Sequence, residues 1–357
     1  MAKAKALAID ETEALFAEIV TELTEHKLGH FSLMSDGFAA EPTEWISTGI
    51  TLLDAALHGG MPVGRIAEIY GKSQTGKSLL GITMLALAQK QGAVVALIDT
   101  ERAYTSDFSI RMAGIDPTKL IYCEVETVEK IFDTIERTIA VVRKRVSTPP
   151  IVFLWDSVAA VCTEAELKKT MLEEQGVAYA ARVIRRGFRR LTDLLADQRA
   201  ILLMTNQTST KIGIPAWADN EDTYGGGGPK FYSSVRLRME TMGKIAEKGS
   251  DPKGVWCQVT IMKNRLDPPG RKIRVPIYFS TGVNDDDALL EYLYTHNHLG
   301  ESKGWISWPG KKLARREEFL RSMQEDLTLR AEVKAKALHE FLHDTVPLPE
   351  EGMVEGV

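Results

Sequence analysis

An α/β fold around a mostly parallel central sheet is predicted by three observations. Short apolar runs recur at Ile66–Tyr70, Ala93–Asp99, Leu120–Glu124, Ile151–Asp156 and Ile201–Asn206. Helix-length segments such as Val128 to Arg145 lie between several of them. The octapeptide Gly71-Lys72-Ser73-Gln74-Thr75-Gly76-Lys77-Ser78 fits G-x-x-x-x-G-K-[ST] and sits between the first run and a helical repeat of Leu79, Leu80, Ile82, Met84, Leu85 and Leu87. Strands alternating with helices are the signature of parallel crossover units.

The elements follow in order. Residues 10–33 carry Leu15, Phe16, Ile19, Val20 and Leu23 at helical spacing, which predicts an N-terminal helix. A polar stretch from Ser35 to Glu44 separates it from the alternating region. After the fifth run, Val235–Glu240, Val255–Lys263 and Ile273–Phe279 are less separated and read as hairpin-connected strands extending the sheet. Asn284-Asp285-Asp286-Asp287 marks a boundary, followed by a smaller α/β module with Trp305, Trp308 and two helical stretches up to about His343. The end, with Pro347, Pro349, Glu350, Glu351 and Glu355, reads as an acidic tail without a core. The expected division is therefore 1–45 (N-terminal oligomerisation helix and linker), 46–283 (core), 284–345 (small C-terminal domain) and 346–357 (tail).

With 357 residues, 44% hydrophobic and 26% charged, the chain can bury a sizeable core. No apolar run approaches the roughly 18–20 residues of a membrane span. The N-terminus passes from Met1-Ala2-Lys3-Ala4-Lys5 into acidic residues and lacks the apolar core of a signal peptide. Cys123, Cys162 and Cys257 are widely spaced, so free buried thiols are expected rather than a disulfide framework or metal site. A cytoplasmic protein is the expectation. The net charge of −5 argues against a basic coat but leaves room for a local basic site.

The octapeptide is a phosphate-binding loop. Gly71 and Gly76 let backbone N–H groups curl around a phosphate at a helix N-terminus, with Leu79 completing the first turn. Lys77 reaches the β- and γ-phosphates, and the Ser78 hydroxyl helps hold Mg²⁺. Asp156 ends the apolar run Ile151–Asp156, the arrangement in which a carboxylate orients Mg²⁺ through coordinated water. Glu101 follows the next run, in Asp99-Thr100-Glu101, and is placed to orient or deprotonate an attacking water. Asn206-Gln207 ends a third run, where an amide can bond the γ-phosphate and report its loss to the segment beyond. Strand ends gather along one edge of a parallel sheet, where ligands bind.

Together these residues resemble the bacterial RecA recombinase family, also found in phages. The similarity runs through Ile46-Ser47-Thr48-Gly49, Gly64 to Gly71, the phosphate loop, Ile98 to Glu101, Asp156 to Ala160 and Thr205-Asn206-Gln207. It continues through Lys211-Ile212-Gly213, Gly225-Gly226, Lys230 to Leu237, Lys263-Asn264-Arg265 and Gly304 to Ser307, covering roughly residues 46–343. The resemblance implies a RecA-like P-loop ATPase core using ATP and Mg²⁺. It implies helical filaments on single-stranded DNA, homology search in double-stranded DNA and strand exchange. Lys77, Ser78, Asp156, Glu101 and Gln207 take the roles given above. Lys263 and Arg265 match a basic pair that reaches a neighbour's ATP, and Phe231 an aromatic that packs into the adjacent protomer. Phe108 lies at or beside the family's adenine-stacking position, while Thr105 stands where an acidic residue often contacts the base.

Two segments are the candidate DNA loops. The first, around Thr163 to Gly176, leads into Arg182, Arg185, Arg186, Arg189 and Arg190, whose spacing places them on one helical face; Arg182, Arg185 and Arg189 are the DNA-contact candidates. The second, Thr208 to Tyr224, is expected as a long polar loop, with Lys211 as its basic contact and Gly225-Gly226 approaching phosphates closely. Ser209, Asp219, Glu221 and Asp222 depart from the family's more basic loop. A hexameric RecA-fold motor or accessory ATPase, and a DNA-binding scaffold with a vestigial site, remain the other readings.

Overall fold

The computed structural model describes residues 9–26, 33, 41–168, 177–210, 221–246, 249–302 and 305–344. The chain divides into two units, Met1–Thr43 and Glu44–Val357. In the first, α1 (Ile9–Glu25) presents Leu15, Phe16 and Ile19 to solvent. The helix ends earlier than residue 33, and residues 27–32 lie outside the described part.

The second unit opens with β1 (Trp45–Ile46), α2 (Thr51–Ala56) and β2 (Met61–Pro62). Then come β3 (Ile66–Gly71), α3 (Lys77–Lys90), β4 (Val94–Asp99), α4 (Ser106–Ala113), β5 (Leu120–Glu124) and α5 (Val128–Arg143). β6 (Ile151–Asp156), α6 (Glu164–Leu167), α7 (Val177–Asp197) and β7 (Ala200–Thr210) follow. β8 (Glu221–Thr223), α8 (Gly227–Tyr232), β9 (Val235–Ile245), β10 (Gly254–Asn264), β11 (Lys272–Tyr278) and β12 (Gly282–Val283) complete the main sheet. Its order is β12-β11-β10-β9-β3-β7-β6-β4-β5, with β8 pairing off β7. The pairs from β9 through β3, β7, β6 and β4 to β5 are parallel, and those among β9, β10, β11 and β12 antiparallel.

Every residue of β3 and β6 is buried, as in a strand covered on both faces. Alternate side chains feed two cores: Val152 and Leu154 join one with α3, while Ile151, Phe153 and Trp155 join the other with α5 and α7. The latter holds an aromatic cluster in which the Phe132 ring meets Trp155 and Phe188 edge-on, at centroid distances of 6.0 and 5.5 Å. Of the three cysteines, all free, only Cys257 is fully buried; Cys123 and Cys162 are half-buried.

The acidic run after Asn284 begins a helix. Asn284 caps α9 (Asp285–Thr295), accepting from the Asp287 N–H at 3.1 Å. Asp285 accepts from the Thr51 N–H and hydroxyl, both at 2.7 Å, tying α9 to α2. After β13 (Gly300–Ser302), β14 (Trp305–Ser307) and β15 (Ala314–Arg315) come α10 (Arg316–Glu325) and α11 (Leu327–His343). Arg316 of α10 and Arg330 of α11 bond Asp287 and Asp286 at 2.8 and 2.7 Å. Carboxylates in a helix's first turn also complement its dipole.

Gly187, inside α7, offers a test of this packing. A Cβ there would lie 2.2–2.4 Å from atoms of the Phe132 ring. Helix propensity favours alanine by about 1 kcal/mol, but overpacking a dense core costs about 1–3 kcal/mol. Gly187→Ala is therefore expected to lower the denaturant midpoint, and Phe132→Leu in the same chain to recover part of the loss. A midpoint raised by the alanine would show that the cluster yields.

Candidate nucleotide site and DNA-facing surface

The parallel register assembles the site. Gly71 stands opposite Gln207 and Tyr70 opposite Asn206, while Asp99 stands opposite Asp156. The ends of β3, β6 and β4 and the Asn206-Gln207 step of β7 thus share one sheet edge.

At the phosphate loop the backbone leaves no room for side chains. A Cβ at Gly71 would sit 2.2 Å from the Met239 carbonyl oxygen, and one at Gly76 2.4 Å from Ile277 Cδ1. Gly76 caps α3 in the left-handed region at φ 86, and Gln74 also has positive φ, 62. Such turns favour glycine. Lys72, Ser73 and Gln74 are exposed, Thr75, Lys77 and Leu79 buried, and Ser78 half-buried. Lys77 Nζ donates to the Lys72 carbonyl at 2.6 Å, and Thr75 Oγ1 donates to the same oxygen at 3.0 Å. Burial pushes the Lys77 ammonium pKa down, while the charges of Asp156 and Glu101 hold it up.

Asp156 is 3% exposed, and the peptide bond that follows it is cis. Its Oδ2 accepts from the Tyr104 hydroxyl at 2.6 Å, and its Oδ1 from the Thr205 hydroxyl. Glu101 is exposed, and its Oε1 accepts from the buried Ser157 hydroxyl at 2.5 Å. Thr100 joins the two strand ends: its N–H donates to the Asp156 carbonyl and its hydroxyl to that of Ser157, both at 2.9 Å. The donor set fits the group the phosphate loop implies. A serine hydroxyl and a carboxylate are hard oxygen ligands for Mg²⁺, and the glycine cradle is shaped for phosphate oxygens. Phe108 belongs to α4; its side chain lies outside the described part.

Behind the loop, Glu68 is fully buried. It accepts from Arg236 Nε at 2.5 Å and from Asn206 Nδ2 at 2.8 Å. The same Asn206 amide donates to the Tyr224 carbonyl at 2.8 Å, and its Oδ1 accepts from the Gln207 N–H at 2.9 Å. The expected loop at Thr208 to Tyr224 is partly strand. β7 runs on to Thr210, and Thr208, Ser209 and Thr210 pair antiparallel with Thr223, Asp222 and Glu221. Backbone pairing needs no apolar side chains, so the polar sequence hid it. Lys211 lies outside the described residues.

Past this ladder, Gly225 and Gly226 have positive φ of 89 and 64, and a Cβ on Gly226 would touch Ala181 Cβ at 3.0 Å. α8 packs on α7 through Gly228, against Ile184 and Phe188. The glycine turn thus lies against the start of the arginine-bearing helix. Arg182, Arg185, Arg186 and Arg189 are exposed and carry no ion pair among the described residues. Arg190 is spent on Glu136 of α5, at 2.6 Å.

Phe231 stands on α8 and is 59% exposed. Lys263 Nζ donates to the Lys230 and Phe231 carbonyls at 2.9 and 3.1 Å, and Arg265 to that of Phe231 at 2.9 Å. Arg265 falls one residue beyond β10, whose ladder shifts register between Ile261 and Lys263. The pair converges nonetheless, because both cations cap the C-terminal carbonyls of α8. Tyr104 was not singled out from sequence, and Ser157 and Thr205, although inside segments that carry the resemblance, were given no role. Their contacts come from the strands placed side by side.

This α/β sheet, with a phosphate loop at its carboxyl edge and an aspartate two strands away, defines a P-loop nucleotide-binding protein. The model of the RecA N-terminal domain matches residues 16–284. Protein RecA of Bdellovibrio bacteriovorus is 32% identical over 90% of this chain and 84% of its own length. Protein RecA of Thermus thermophilus is 31% identical over 92% and 95%, and that of Helicobacter acinonychis 31% over 98% and 99%. The chain belongs to the RecA family of recombination proteins. No helix among the described residues is long and apolar enough to cross a membrane.

The basic pair makes a measurable claim. Burial, then the charges of Arg265, Arg236 and Lys230, lowers the Lys263 pKa from 10.5 to about 8. Its cation is thus present below pH about 8 and lost above it. In nucleotide-free protein with Cε-labelled lysines, one resonance should titrate near 8 and disappear in Lys263→Gln. Arg265→Ala should move that midpoint upward by removing a neighbouring cation; an unmoved midpoint would show the two charges to be independent.

Proposed function

We propose that this protein is an ATP-dependent homologous-recombination protein whose protomers join head-to-tail along single-stranded DNA, with ATP between neighbours. One observation carries the reading: strand β7 serves both surfaces. Its residue Gln207 lies beside Gly71 of the phosphate loop, and its continuation through Thr210 forms the ladder that ends at Gly225-Gly226 against α7. A change at the phosphates is thereby transmitted along a single hydrogen-bonded strand to the arginine face of α7.

The chemistry divides among this chain's residues. Gly71, Gly76 and the loop N–H groups hold the phosphates, and Lys77 leaves the Lys72 carbonyl to neutralise them. Ser78 and Asp156 would hold Mg²⁺, which neutralises charge on the β- and γ-phosphate oxygens when bound. Glu101, aimed by Ser157, orients the attacking water and takes its proton. Gln207 reads the γ-phosphate. Lys263 and Arg265 lie at the end of α8 beside exposed Phe231, a position suited to a neighbouring protomer's nucleotide; charge placed there stabilises the transition state. The exposed face of α1 supplies a second contact between protomers. Heterologous contacts of this kind build a filament when their rotation does not close.

Electron microscopy with single-stranded DNA and a slowly hydrolysed ATP analogue should show continuous helical filaments. Closed rings would favour a hexameric motor, and nucleotide-independent coating a scaffold. The cross-subunit role is tested by mixing Lys77→Ala protomers, which retain the basic pair, with Lys263→Ala/Arg265→Ala protomers, which retain the phosphate loop. Mixed filaments should regain hydrolysis that neither variant shows alone, and co-assembly without recovery would remove the role. Gln207→Ala should lose DNA stimulation of hydrolysis more than basal turnover. Equal proportional losses would dismiss the coupling.

A further inference from the structure

Asp156 is held from both sides. Its two carboxylate oxygens accept one hydroxyl each, Tyr104 on Oδ2 at 2.6 Å and Thr205 on Oδ1. Thr205 is fully buried in β7, flanked by β3 and β6. Tyr104 comes from the loop that carries Glu101, and its own N–H is anchored on Asp99 Oδ2 at 3.2 Å. Its hydroxyl also lies 3.2 Å from the Ser78 carbonyl, at the start of α3. One side chain therefore touches three parts of the site: the Glu101 loop, the end of β6 and the first turn after the phosphate loop.

We propose that Tyr104 and Thr205 are positioning residues that clamp the Asp156 carboxylate for metal-bound water and set how much Mg²⁺ nucleotide binding requires. This rests on the ATP site described under Proposed function. An ionised carboxylate offers about four acceptor sites, so the clamp uses two and leaves two. Without it the carboxylate is free to turn, and the nearby cation of Lys77, whose charge already interacts with Asp156, competes for it. A carboxylate drawn onto Lys77 serves neither the metal nor the phosphates. Outer partners that orient a ligating group alter metal affinity by about 10- to 100-fold when removed, and a contact acting through water belongs at the lower end.

The test uses the full-length protein and a fluorescent, non-hydrolysable ATP analogue, titrated with Mg²⁺. Tyr104→Phe removes one oxygen and is expected to raise the Mg²⁺ midpoint for analogue binding about ten-fold. Thr205→Val should raise it as well, Thr205→Ser should restore the parental midpoint, and Tyr104→Phe/Thr205→Val should exceed either single change. Analogue affinity in EDTA should match the parent in every variant, a result that a damaged phosphate loop would not give. An unchanged midpoint in Tyr104→Phe overturns the clamp. A lowered midpoint also overturns it, because Tyr104 would then be a competitor for the carboxylate. Parental protein with no Mg²⁺-dependent binding would instead remove the nucleotide site itself, and the clamp with it.

Discussion

The buried Glu68 carboxylate is the constraint around which the site is organised. It lies three residues before Gly71, fully enclosed, with Arg236 of β9 on one oxygen and Asn206 of β7 on the other. Arg236 also stacks over the Tyr70 ring at 4.4 Å. A buried ion pair is weak evidence of net stability, because desolvation offsets most of the Coulombic gain. Breaking it by removing one partner is another matter, costing about 3–5 kcal/mol. Its consequence here is register. Only one alignment of β9, β3 and β7 satisfies both carboxylate oxygens, and that alignment places Gln207 beside the phosphate loop and directs the Asn206 amide to the Tyr224 carbonyl.

The rest of the edge then follows from strand order. β7 lies between the phosphate-loop strand and β6, so Thr205 reaches Asp156 while Gln207, two residues on, faces the loop. The next pairing, β6 with β4, brings Thr100 onto the Asp156 and Ser157 carbonyls and Glu101 onto the Ser157 hydroxyl. The end of β6 is thereby tied to its neighbours across the parallel sheet, with Glu101 on the loop that follows β4.

The site was legible wherever its chemistry is local. The phosphate loop, Asp156 and Asn206-Gln207 are each written in a few consecutive residues; the first two stand where their flanking patterns put them, whereas Asn206-Gln207 lies inside β7, which runs on to Thr210. The contacts of Tyr104 and Thr205 with Asp156 were not legible, since a tyrosine in a loop and a threonine in a strand are ordinary until a particular carboxylate faces them. The ladder from Thr208 to Thr223 escaped for a related reason: backbone hydrogen bonds hold it, and polar side chains carry no apolar alternation. Asn284 to Asp287 read as a boundary because three aspartates suggest solvent. In the fold, Thr51, Tyr278, Arg316 and Arg330 bond those carboxylates and make them a junction between helices.

By itself the sequence determined the α/β class, the phosphate-loop motif and its glycines, the aspartate that ends β6 and the RecA family, because hydrophobic periodicity and motif spacing are properties of neighbouring residues. Only the tertiary structure decided which strand lies beside which. That order turned Glu68, Asn206 and Arg236 into one network, set the glycine turn at Gly225-Gly226 against Ala181, and brought Lys263 and Arg265 to a single carbonyl of α8. Each depends on contacts between residues from about 30 to nearly 170 positions apart, and such contacts are selected by burial and register, which no short stretch of sequence contains.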